Sequence, residues 1–195
     1  WHITCDFKST VRLRLTAIES NRLRNGTVTI QVQKVEVHWN YLLSFETELE
    51  RISRYVEFDE RNFGCFSIEL SRVLMAASAE VDVVCKQLCR RLDPGSHAGS
   101  INSYRDEIQK IYPNIQTFKV LFPRFGLTLE PWHNWQAKNG VPDWWTAHNK
   151  VKHYRDSKFH RGNLANALNA VAGLFVMTLH LYKDKAELGE LVPAP

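Results

Sequence analysis

This sequence predicts a mainly α fold: a bundle of four or five helices, with a β-hairpin at the N-terminus and a second short hairpin around residues 118–129. Three observations carry that reading. From about Val35 onward, apolar residues recur at helical spacing over long stretches. Before that point they alternate one by one on either side of an Asn-Gly pair. The 195 residues, 44% hydrophobic and 24% charged, also suffice for the core of one domain. The expected division is a hairpin appendage over residues 1–35 and a helical domain over 36–195.

The elements follow in order. Val11, Leu13 and Leu15 alternate with Arg12, Arg14 and Thr16, and Val28, Ile30 and Val32 with Thr29 and Gln31, with Asn25-Gly26 as the turn between two strands. The period then changes. Leu42, Leu49, Ile52 and Val56 mark a first helix that runs through Arg54 and Phe58, until residues 59–64 break the pattern. A second helix over residues 67–92 carries Leu70, Val73, Leu74, Ala77, Val81, Val84, Cys85 and Leu88 on one stripe, and Asp93-Pro94-Gly95 stops it. After a small polar loop, a third and shorter helix over 102–111 ends at Tyr112, because a residue before proline resists helical geometry. Residues 118–122 and 127–129, on either side of Pro123-Arg-Phe-Gly126, form the second hairpin.

Residues 131–145 hold four of the six tryptophans together with Pro131, Gly140 and Pro142. Such a segment is an irregular stretch glued to a core, because tryptophan brings large buried area. Stacking on nucleic-acid bases is the second reading of Trp132, Trp135, Trp144 and Trp145. Asp143 is placed to cap a fourth helix from Trp144 to about Arg155. On that helix Trp144, Ala147, Val151 and Tyr154 share an apolar side, while His148, Lys152 and Arg155 form a second stripe of cationic type. His153 points away from that stripe, as a packing or orienting histidine. A fifth helix over 163–184 is apolar nearly all round, so it lies at the centre of the bundle or faces a second subunit. A homodimer is therefore expected.

Several classes of function are disfavoured. The longest apolar run, residues 170–177, is too short to span a bilayer, and His180 and Lys183 follow it. The opening WHITCDFKSTVRLRL has no apolar signal core. Four cysteines at irregular spacing do not make a disulfide framework, and a reducing cytoplasm suits them. Cys85 and Cys89 stand one turn apart and read as small buried residues rather than metal ligands, without a second paired set at zinc spacing. His148 and His153, five positions apart, do not share a helix face for a metal. No Gly-rich phosphate loop, GxSxG elbow or HExxH appears, and neither metal nor other cofactor is expected. Glu46, Glu48, Glu50, Asp59 and Glu60 form an acidic patch, read as solvated surface or as a counterpart for the basic cluster of a partner subunit.

The positive signal is local charge. Lys150, Lys152, Arg155, Lys158 and Arg161 stand against Asp156 alone, an excess of +4 that equals the formal net charge of the whole chain. A patch so concentrated is a footprint for an anionic partner. Within it, Arg155 and His160 lie five positions apart at a junction between helices. A guanidinium can neutralise a phosphate, and an imidazole can move a proton near neutral pH. That pairing suits RNA cleavage without a metal.

The Arg155-Asp156-x-x-x-His160 arrangement, between two helices of an all-α core, resembles the RxxxxH motif of HEPN-superfamily domains. The surrounding Trp-Trp…His-Asn-Lys-Val-Lys-His-Tyr-Arg…Asn-Leu-x-Asn-Ala-Leu resembles bacterial HEPN-like proteins over about residues 36–185. What the resemblance implies is a four- or five-helix HEPN-like bundle that dimerises with two motifs facing across a cleft. It also implies a metal-independent endoribonuclease of toxin or phage-defence type, in which the ribose 2′-hydroxyl attacks the adjacent phosphate and leaves a 2′,3′-cyclic end. Arg155 would clamp the scissile phosphate, His160 would serve as acid or base, and Asp156 would orient one of them. Lys152, His148, Lys158 and Arg161 would hold flanking RNA phosphates. RNA, a second copy and an antitoxin or other defence-system protein are the expected partners. Because many domains of this kind keep only the fold, a catalytically inactive RNA-binding or protein-interaction module is the alternative.

Overall fold

The computed structural model describes residues 10–12 and 36–192 and is mainly helical. The principal elements are β1 (Thr10–Arg12), α1 (Val37–Ile52), α2 (Ile68–Leu92), α3 (Ile101–Ile111), β2 (Lys119–Phe122), β3 (Leu127–Leu129), α4 (Asp143–His153), α5 (Arg155–Lys158), α6 (Leu164–Leu181) and α7 (Lys183–Glu187). Short 3₁₀ turns join several of them.

Helix boundaries follow local chemistry. The Ser67 hydroxyl accepts a hydrogen bond from the Leu70 amide at 3.1 Å and starts α2, and the Asn163 side chain does the same for α6 through Asn166 at 3.1 Å. Ser100 and Ser103 bond reciprocally at the head of α3, which stops at Tyr112 before Pro113. Asp143, expected as a cap, is instead the first helical residue of α4, behind Pro142. The second hairpin forms as expected: Val120 pairs with Leu129 and Phe122 with Leu127, antiparallel, and Gly126 takes the left-handed φ of 66° that the turn requires. On its other side β2 is flanked by β1 in parallel, with Thr10 opposite Lys119. The expected N-terminal hairpin, including Asn25-Gly26 and the strand over 28–32, lies outside the described residues, and the short piece Thr10–Arg12 that is described pairs with β2.

The interior is organised around α6. Fifteen of its eighteen residues are buried, packed chiefly against α2 and also against α1 and α4. By length and composition α6 could cross a membrane, yet 83% of it is buried inside the protein. Its apolar circumference is therefore covered by the chain's own elements, and it leaves no surplus face that calls for a second subunit. The inference of a dimer from this helix lapses for that reason.

The tryptophan segment explains part of that cover. Trp132, Trp135 and Trp144 are buried, and the Trp132 and Trp144 rings meet edge to face at 5.3 Å between centroids. Both rings press on Gly173 of α6. A Cβ there would stand 2.9 Å from Trp144 Cζ2 and 3.4 Å from Trp132 Cζ2, so only glycine fits without displacing a ring. The Trp132 indole donates to the Gly173 carbonyl at 3.3 Å, and Trp144 donates to Pro131 at 2.8 Å. These rings serve the core, and only Trp145 of the four is partly exposed among the described residues.

Candidate functional site

The stretch from α4 to α6 begins with a break. Helix α4 does not continue to Arg155: Tyr154 leaves helical geometry at φ −139° and ψ 43°, and Arg155 opens the separate four-residue α5. A 3₁₀ turn over Phe159–Arg161 and the buried Gly162 then lead into α6. The cause lies at the far end of this connection, which is fastened to the approach of α2. Phe66 forms a β-bridge with Asn163, the Leu164 amide donates to Cys65 at 2.9 Å, and the Ala165 amide donates to Phe63 at 3.2 Å. Gly162 sits directly on Ser71, where a Cβ would come within 2.7 Å of the serine Cβ. To reach that contact the chain must turn down after α4, which separates the stripe His148, Lys152, Arg155 that a continuous helix would have displayed.

The break places Arg155 and Lys152 at the rim of an open groove of about 520 Å³ between α2 and α4, lined also by Ser71, Arg72, Met75, Ala76 and Val151. Its floor is apolar and its edge is basic. Arg72 is exposed and pairs with Glu69 at 2.8 Å. Among the described residues the side chains of Lys152, Arg155, Lys158, His160 and Arg161 form no ion pair, and Asp156 pairs with none of them. Elsewhere cations are commonly matched, as in Lys86 with Asp82, Arg105 with Asp106 and Lys119 with Glu130. Uncompensated positive charge is thus concentrated on this junction.

Not all of the expected residues gather at the groove. His160 is exposed on the 3₁₀ turn and is not among the groove residues, nor are Asp156, Lys158 and Arg161. The Arg155 guanidinium lies over the Phe159 ring, 5.2 Å from its centroid. His148 departs furthest from expectation. It is buried beside Trp145, its Nδ1 has no hydrogen-bond partner, and burial, assisted by Lys152 and His153, pushes its pKa down to about 4. At neutral pH it is uncharged, so it supplies no cation for a phosphate. His153, expected as a packing or orienting histidine, is exposed, with its ring beside Tyr154. The groove residues of α2 escaped the sequence reading because Ser71 and Met75, one turn apart at the edge of that helix's apolar stripe, signal a site only once α4 is known to lie alongside.

Among the described residues no group of three or more His, Cys, Asp or Glu side chains is arranged to hold a metal ion. Cys85 and Cys89 are buried on α2, as their spacing suggested, and burial raises both thiols, Cys89 to about 12 with Glu107 adding to the effect. Neither is a thiolate near neutral pH. Comparison of the chain with family models, curated proteins and solved structures found no match.

Proposed function

We propose that this protein binds single-stranded RNA along the α4–α5 rim and cleaves it as a HEPN-like, metal-independent endoribonuclease of the toxin or phage-defence type, acting in the cytoplasm. The observation that carries the reading is the set of cations, Lys152 and Arg155 foremost, that line an open groove and form no ion pair among the described residues. Phosphodiesters are the natural counter-charge for such a rim. In this reading Arg155 stabilises charge developing on the scissile phosphate while His160 moves the proton of the 2′-hydroxyl or of the leaving oxygen, with Asp156 orienting the pair. Lys152, Lys158 and Arg161 hold flanking phosphates. A second copy, related by a two-fold axis, would bring another Arg155 and His160 to the same strand, and an antitoxin or defence-system protein would act by covering the rim.

The exposed position of His160, away from the groove, favours a second reading: a catalytically silent RNA-binding module that keeps the basic rim. A cleavage assay on a broad panel of RNAs separates the two. The nuclease reading expects cutting that survives EDTA, 2′,3′-cyclic phosphate ends on the products, and resistance of strands that lack the 2′-hydroxyl at the scissile site. Binding without cutting selects the silent module. No binding at low salt overturns both, and light scattering that reports the mass of a single chain removes the dimer.

A further inference from the structure

Beside the rim stands a feature that phosphate binding does not use. Phe66, from the approach to α2, and Phe159, from the turn before α6, meet edge to face with centroids 5.8 Å apart and planes at 86°. Fold contacts hold them there: the Phe66 backbone is fixed by its bridge to Asn163 and by the neighbouring bond from Leu164 to Cys65. Phe66 is nevertheless 49% exposed, and Ile68, two residues on, is 58% exposed, so the contact gives little burial in return for its order. Arg155 links this pair to the groove, because it is one of the groove's lining residues and its guanidinium lies over Phe159. An exposed aromatic ring beside cations that form no ion pair among the described residues matches a ligand with alternating flat apolar faces and negative charges.

We infer that the exposed Phe66 ring, held edge to face by Phe159, is a stacking platform for an unpaired base of single-stranded RNA, with the adjoining phosphates on Arg155 and Lys152. The inference rests on the RNA reading above and adds a contact to bases, which the cations alone do not supply. Stacking on aromatic side chains tolerates any base and strengthens binding by roughly 5- to 150-fold per base. The platform therefore raises affinity for unpaired strands over duplexes without selecting a sequence.

The test compares two short oligoribonucleotides, one carrying 2-aminopurine at a central position and one abasic there, against the full chain at several salt concentrations. The wild-type protein should quench the 2-aminopurine and bind that strand at least about 5-fold more tightly than the abasic one. Phe66→Ala should abolish both differences while leaving the salt slope unchanged, and Phe66→Trp should restore them. Lys152→Ala should do the reverse, lowering the slope and keeping the base increment. Wild-type binding with a normal salt slope but no base increment overturns the platform and leaves the RNA reading standing. Absence of binding to either strand overturns both. Equal loss of both strands in Phe66→Ala, with no restoration by Phe66→Trp, assigns the ring to folding and overturns the platform. A shift from dimer to monomer in Phe66→Ala assigns the patch to self-association and does the same.

Discussion

The seam between α2 and α6 and the junction between α4 and α6 are built on opposite rules. Along the seam, Leu70, Leu74, Ala77, Val81, Leu168, Val171 and Phe175 are all buried. At the junction the chain passes through a four-residue helix and a 3₁₀ turn, the side chains of residues 152–158 are exposed, and among the described residues Lys152, Arg155, Lys158 and Arg161 form no ion pair. Apolar burial rewards closeness between elements, whereas like charges gathered on one short segment oppose it. A protein keeps such a segment in place only by fastening it elsewhere. Here the fastening is the contact of residues 162–165 with residues 63–71.

That comparison can be broken most decisively from the interior. Leu74→Ala or Leu168→Ala, each at a fully buried position, should lower unfolding free energy by about 2–5 kcal/mol. A shift in urea midpoint no larger than that of an exposed substitution would mean the seam is not what holds the fold. Next in size, Arg155→Ala and His160→Ala should each slow RNA cleavage by about a hundredfold or more and leave the stability within about 0.5 kcal/mol of the parent. Full activity in His160→Ala would end the proposed acid–base role.

Two of the crowded glycines sharpen the distinction. Gly173→Ala and Gly162→Ala should each cost about 1–3 kcal/mol, the first by displacing a tryptophan ring and the second by lifting the junction from Ser71. Of the two, only Gly162→Ala should also weaken RNA binding, as filter-binding titrations would report. A smaller effect is expected for Lys152→Ala combined with Lys158→Ala. Affinity should fall, and the slope of log K against log salt should flatten by about 0.7 for each phosphate that the variant no longer neutralises.

The smallest effect concerns pH. His148 titrates in the unfolded chain near its ordinary 6.5 but only near 4 when folded, so protons favour unfolding and its contribution falls as pH drops through that window. Glu46, which burial holds protonated up to about 7, acts in the opposite sense, losing stability as pH rises from its ordinary 4.5. The difference between wild type and His148→Leu isolates the histidine. Melting temperatures measured from neutral pH down to about 4 should fall less steeply in the variant, and parallel curves would contradict the buried, neutral assignment.

The sequence made α2, α3 and the β2–β3 hairpin legible because their signals are local: an apolar stripe ended by Asp93-Pro94-Gly95, a proline stop, a turn glycine. Local signals failed at the end of α4. The periodicity there runs unbroken, and the helix stops because Gly162 must reach Ser71 on another element. Spacing put His148 on a face with Lys152, yet spacing does not tell whether that face is solvated, even though Trp145, one turn before His148, has its ring 5.5 Å from the imidazole. The same limit affected α6, whose apolar circumference reads alike whether its own chain or a second copy covers it. For the candidate site, the charge of residues 150–161 was legible, whereas the contribution of Arg72 and Met75 was not, because it arises from the pairing of α2 with α4.

The fastening of residues 63–67 to residues 163–165 also orders events in time. Its partners lie far apart in the chain, so the loop between them must close before the β-bridge and its flanking bonds can form. While the polypeptide is still being synthesised, the cations of α4 and α5 emerge before α6 exists to anchor them, scattered along an unfastened strand with no rim to share. The groove lip is assembled only once α2 and α6 have met. A nascent or locally opened chain therefore carries the full charge of the site without its geometry.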